Sequence, residues 1–254
     1  MAARTEGGVR RRGVDDGGVP PANPPVNLCR MSAPDVPHRV WREISGSRWE
    51  APGTVSMREA IRKVGHGSTA GAKLIASGVL PTVSVPGYVN PRVSLATLDL
   101  LHGMPSLDRH ALGPFASTLI VRCGGPQRAM AGTDAVDWET GRAYYGFHTS
   151  MTMRTAVLAT AGWWTLSPRM LGTSRGAMTP GAVIETTVDR LWVTVGGFIV
   201  LDATVDAVQV SYEPAPSGSL PLSALYVSDA PSDMVGRWLP PTRSGSVTML
   251  ASEW

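Results

Sequence analysis

RLWVTVGGFIVLDATVDAVQVSYEPAPSG, Arg190 to Gly218, decides the fold class. In its second half Val208, Val210 and Tyr212 alternate with Gln209, Ser211 and Glu213. A period of two puts one set toward a core and the other toward solvent, so the spacing predicts a strand. Pro214 and Pro216 end it, since proline supplies no ladder N–H. Upstream, RLWVTV and FIVLDATV read as two more strands around Gly196-Gly197. That pair suits either a two-residue hairpin turn or a bulge inside one longer strand, and the sequence leaves both open.

The same style of run recurs toward the N-terminus. VLPTVSV, RVSLATL, STLIVRC, AYYGFHT, TMRTAVLAT and AVIETTV are apolar or β-branched segments punctuated by Gly, Pro and polar clusters. Composition agrees: 28 Gly, 21 Pro, 6 % aromatic and 17 % charged residues in a chain of 254 favour short strands joined by turns. The expectation is an all-β protein, an antiparallel β-sandwich of the jelly-roll kind with one short helix and a disordered N-terminal arm. That helix is SMREAIRKVGHG, where Ser56 and Glu59 have capping-box spacing, Met57, Ala60, Ile61 and Val64 share a face, and Gly65 stops the run. VWREISGSRW before it reads as a strand and a tight turn.

Three regions follow from composition: residues 1–40 as a flexible arm, 41–230 as the β-sandwich domain and 231–254 as a C-terminal extension. The arm holds paired glycines and prolines with little apolar periodicity, so it lacks the surface to fold alone. Near its tip Arg4, Arg10, Arg11 and Arg12 are opposed only by Glu6 before Asp15-Asp16. These four arginines are the candidate nucleic-acid-binding residues, through phosphate contact. Arg58, Arg62 and Lys63, on the polar face of the short helix, are the next cations in line, although an amphipathic helix carries such a face for solvation alone.

Other local patterns bear on catalysis and metals. Gly172, Ser174 and Gly176 spell the spacing of a hydrolase nucleophile elbow. In that architecture the acid and histidine follow the serine, whereas His38, His66, His102, His110 and His148 all precede Ser174. The sequence after it, AMTPGAVIETTV, reads as turn and strand, not as the helix an elbow needs. No enzyme is expected, and a serine hydrolase using Ser174 is the remotest alternative. Cys29 and Cys123 sit in unlike settings without metal-ligand spacing, so neither a disulfide framework nor a zinc site is expected. Asp134, Asp137 and Glu139 lack EF-hand spacing and read as an acidic turn. No metal and no cofactor are expected. Trp163-Trp164 cannot both face one side of a strand, which hints at an interface. The N-terminus has no apolar core of a secretory signal, and prolines interrupt the long uncharged run between Lys73 and Arg92, so an intracellular product with no membrane partner is expected.

The Arg190–Gly218 stretch is similar to the last two strands of the shell domain in tombusvirus-like and sobemovirus-like coat proteins, single jelly rolls that build small icosahedral RNA viruses. The closing strand there ends in a Val/Tyr-Glu pattern before proline. The arm here is less basic than in that family, and Gly196-Gly197 interrupts the penultimate strand. The resemblance implies a capsid protein that self-assembles as a homo-oligomeric shell and meets its RNA genome through the basic arm. It implies residence in the virion, and in the host cytoplasm before assembly. Another virion structural protein of phage head, neck or tail type, or a β-sandwich binding protein, is the alternative.

Overall fold

In a computed structural model, residues 38–46, 53–107, 117–128, 144–162, 164–213, 220–229, 233–239 and 247–249 are described. The Arg190–Gly218 stretch supplies the centre of the sheet. Strand β7, Arg190–Val195, turns at Gly196-Gly197 into β8, Phe198–Glu213. Both glycines have positive φ, +56° and +88°, and Val195 pairs with Phe198, so the pair forms a two-residue hairpin turn. FIVLDATV and AVQVSYE lie in one 16-residue strand. The ladder shifts between Val193 and Thr194, whose partners are Leu201 and Ile199, and Val200 is left without a Cα partner. Its carbonyl instead accepts the Trp41 indole N–H at 3.2 Å.

Four more strands complete this sheet. They are β3 (Thr118–Arg122), β6 (Val183–Ile184), β9 (Leu220–Asp229) and β10 (Val247–Met249). The order runs β10-β3-β7-β8-β6, with β9 also on β8. The β3–β7 pair is parallel, with Ile120 opposite Trp192, so the sheet is mixed and the purely antiparallel expectation is corrected. A parallel pair needs a long crossover, and the chain from 123 to 189 provides one. Two small ladders stand apart: β1 (Thr54–Ser56) with β2 (Arg92–Ser94), and β4 (Gln127–Arg128) with β5 (Tyr144–Tyr145).

The described residues contain five α-helices, where one was expected. The expected one, α2 (Met57–Lys63), is present. The others are α1 (Arg39–Gly46), α3 (Ser68–Ala76), α4 (Leu95–His102) and α5 (Met153–Thr160). RVSLATL is a short strand running into a helix, and TMRTAVLAT is helical. The cause is capping joined to helical periodicity. Ser94 Oγ accepts Ala96 N–H and Thr152 Oγ1 accepts Thr155 N–H. Thr97, Leu98 and Leu101, and likewise Met153, Ala156, Val157 and Thr160, then bury one face each at three- and four-residue spacing. VWREISGSRW holds α1 in place of a strand because Trp41 and Ile44 both point inward. VLPTVSV makes only a single bridge, Val83 with Arg92.

The helices cover one face of the sheet, forming the main core with Leu119, Val121, Leu191, Val193, Leu201 and Ala203. The opposite face buries Ile120, Trp192 and Ile199 under Leu107, Met234 and Leu239. Within 231–254, Leu239 N–H bonds Gly197 O at 2.8 Å and β10 pairs with β3. Among the described residues no helix is long and apolar enough to cross a membrane.

Candidate nucleic-acid interface

Helix α2 begins at Ser56, whose Oγ accepts Glu59 N–H at 3.2 Å. Ala60 is buried, and Met57, Ile61 and Val64 pack against the core. Ile61 lies across Gly71 of α3 so closely that a Cβ there would stand 2.4 Å from the Ile61 side chain. Glycine is therefore required for the two helices to meet. His66 pins the pair to the β7–β8 turn. One ring nitrogen faces Val64 O at 2.9 Å, the other faces Gly196 O, and the ring stacks on Phe198 at 6.1 Å. His102, ending α4, bonds Lys63 O at 2.9 Å.

This packing turns Arg58, Arg62 and Lys63 outward together, and Lys73 of α3 is exposed as well. Between residues 53 and 107 the cations are Arg58, Arg62, Lys63, Lys73 and Arg92, against Glu59 and Asp99. That segment alone carries +3, the net charge of the whole chain. Lys and Arg are no denser there than in the chain as a whole, and the segment is net positive because Glu59 and Asp99 are its only carboxylates; residues 1–12 carry the same net charge. The arm candidates Arg4, Arg10, Arg11 and Arg12 lie outside the described residues, as do Asp134, Asp137, Glu139, His110 and Trp163.

Ser174 is exposed and precedes a 3-10 turn, Arg175–Ala177, with no strand-to-helix elbow around it. Gly172, at φ +65°, lies where a Cβ would strike Thr187, so this loop is folded onto the 186–188 segment. No described histidine bonds Ser174. His148 bonds Ser150 Oγ at 2.7 Å, and burial lowers its pKa. His38 sits at the start of α1, its pKa lowered by burial and then by Arg42. Burial pushes the Cys123 thiol up to about 12. Among the described residues no group of three His, Cys, Asp or Glu side chains could hold a metal ion.

Two features went unread in the sequence. Arg190 forms a two-pronged pair with the fully buried Asp202, at 2.6 and 2.5 Å, and reaches Asp233 at 2.7 Å. A lone Asp inside the apolar run FIVLD was the available signal, because a buried carboxylate demands a partner. The second is a groove of about 310 Å³ bounded by α1, the end of α4 and residues 233–237. No sequence pattern marks it, since three distant segments build it. The chain matches no family model, no curated protein and no solved structure.

Proposed function

We propose that this chain is a virion coat protein that associates with copies of itself and contacts RNA through basic surfaces. The observation that carries the reading is the distribution of exposed apolar side chains. Tyr88 and Val89 on one loop, Leu100 on α4, Tyr144 on β5 and Val183 on β6 stand out at four places on a folded body. A shell subunit needs several contact surfaces, and heterologous contacts that close produce shells or rings. The exposed Arg58, Arg62, Lys63 and Lys73, in a segment with two carboxylates, support the second half of the reading, with the arm arginines as the other phosphate ligands.

The proposal concerns the assembly role. The mixed sheet differs from the jelly roll that the resemblance implies, so the fold itself does not argue for that family. Electron microscopy of the purified protein, with and without RNA, tests the reading. Closed shells support it, open rings or tubes favour a phage head, neck or tail component, and isolated particles of monomer size contradict it.

A further inference from the structure

We propose that Tyr88, backed by Arg92 at the N-terminal end of α2, is a stacking platform for a base of single-stranded RNA whose phosphates meet Arg58, Arg62 and Lys63. The inference rests on the RNA contact proposed above and names the form of RNA this layer takes and where it holds a base.

The platform is preformed. At the base of the 83–92 loop Val83 and Arg92 exchange both backbone hydrogen bonds at 2.8 Å. At its tip Tyr88 N–H bonds Val85 O at 3.1 Å, with Pro86 and Gly87 between them and Gly87 at φ +84°. Proline then a positive-φ glycine at those positions is the signature of a type II turn. The Arg92 guanidinium donates to Thr54 Oγ1 and to Thr54 O, each at 2.8 Å, and lies over the Tyr88 ring at 4.1 Å from its centroid. Fixed by Thr54, Arg92 backs one face of the ring, while Tyr88 remains 57 % exposed and Val89 beside it 100 % exposed. A ring held this way loses little conformational entropy when a base settles on it.

Strand register ties the platform to the cations. Arg92 is paired with Ser56 across β1 and β2, and Ser56 is also the N-cap of α2. Arg58 comes two residues later, exposed, and Arg62 follows one helical turn on, about 6 Å further along the axis, with Lys63 next to it. The one carboxylate within α2 is Glu59, which is half-buried. An aromatic ring beside a row of cations supplies the two parts of a single-strand site: stacking, which every base allows, and phosphate contact. In a duplex the bases are stacked on one another, so a duplex meets the cations but leaves the ring unused. Assigned to RNA, this loop leaves Leu100, Tyr144 and Val183 as the exposed apolar positions, among the described residues, for contacts between copies.

The test measures binding of the full chain and of its Tyr88→Ala and Tyr88→Phe variants to an oligouridine strand and to an RNA duplex of equal length, across a salt series. Circular dichroism and thermal melting establish that both variants fold. Tyr88→Ala should weaken single-strand binding about tenfold at every salt concentration, within the range for loss of one base stack, and should leave the log–log salt slope unchanged because no phosphate contact is lost. Tyr88→Phe keeps the ring and should bind like the parent, and neither change should alter duplex binding. Parent-like single-strand binding by Tyr88→Ala overturns the platform while leaving the RNA contact standing. An equal loss on the duplex, or a Tyr88→Phe loss as large as that of Tyr88→Ala, also overturns it, since neither pattern reports stacking. A parent that binds neither RNA overturns this inference together with the RNA reading beneath it.

Discussion

Asp202 is fully buried and its carboxylate is held by Arg190, which divides itself between Asp202 and Asp233. Arg190→Met should therefore cost about 3–5 kcal/mol in denaturant unfolding, because it strands a buried carboxylate, and adding Asp202→Asn should recover part of that loss. Burial raises the Asp202 pKa above its ordinary 3.8, the Arg190 bonds oppose the shift, and Asp233 reinforces it. A raised carboxyl binds its proton more tightly when folded. This group's contribution is accordingly full below the ordinary value and declines as pH climbs through the native one. Asp202→Asn should flatten that part of the stability-versus-pH curve. Cys123 gives a simpler check, since its thiol is buried and held almost wholly protonated at neutral pH. In a Cys29→Ser background, a thiol reagent should label nothing until denaturant unfolds the chain; rapid native labelling would show that Cys123 is reachable.

At the scale of elements, α2 joins stability to the proposed RNA contact. Ser56→Ala should cost about 1 kcal/mol by removing the N-cap. Replacing Arg58, Arg62 and Lys63 by Ser should leave stability nearly unchanged, because all three face solvent. In single-stranded RNA binding it should reduce the magnitude of the log–log salt slope by about 2, and deletion of residues 1–12 by about 3, at about 0.7 per phosphate contact. Unchanged slopes in both would remove phosphate contact from these positions. The helix α2 and the burial of Val208 and Val210 were legible in the sequence, because each is set by local chemistry or by a period within one segment, whereas Gly196-Gly197 suited a hairpin turn or a bulge equally and only the pairing of Val195 with Phe198 decides for the turn. Helices α4 and α5 were not, since valine and threonine content suggests strand until Ser94 and Thr152 are recognised as caps. The parallel β3–β7 pair was beyond reach for another reason. Its partners lie 72 residues apart, and no local period encodes which strand a distant one will meet.

In the whole molecule a mixed sheet covered on both faces carries a helical layer with few carboxylates and exposed apolar side chains on several elements. The first explains how the chain folds, and the other two are what the proposed contacts with RNA and with further copies rest on. Sedimentation velocity of the intact 26.9 kDa chain at micromolar concentration, in low and moderate salt, tests that central claim most directly. The account predicts assemblies well above monomer mass whose proportion rises with protein concentration. A single monomeric boundary under every condition would contradict it.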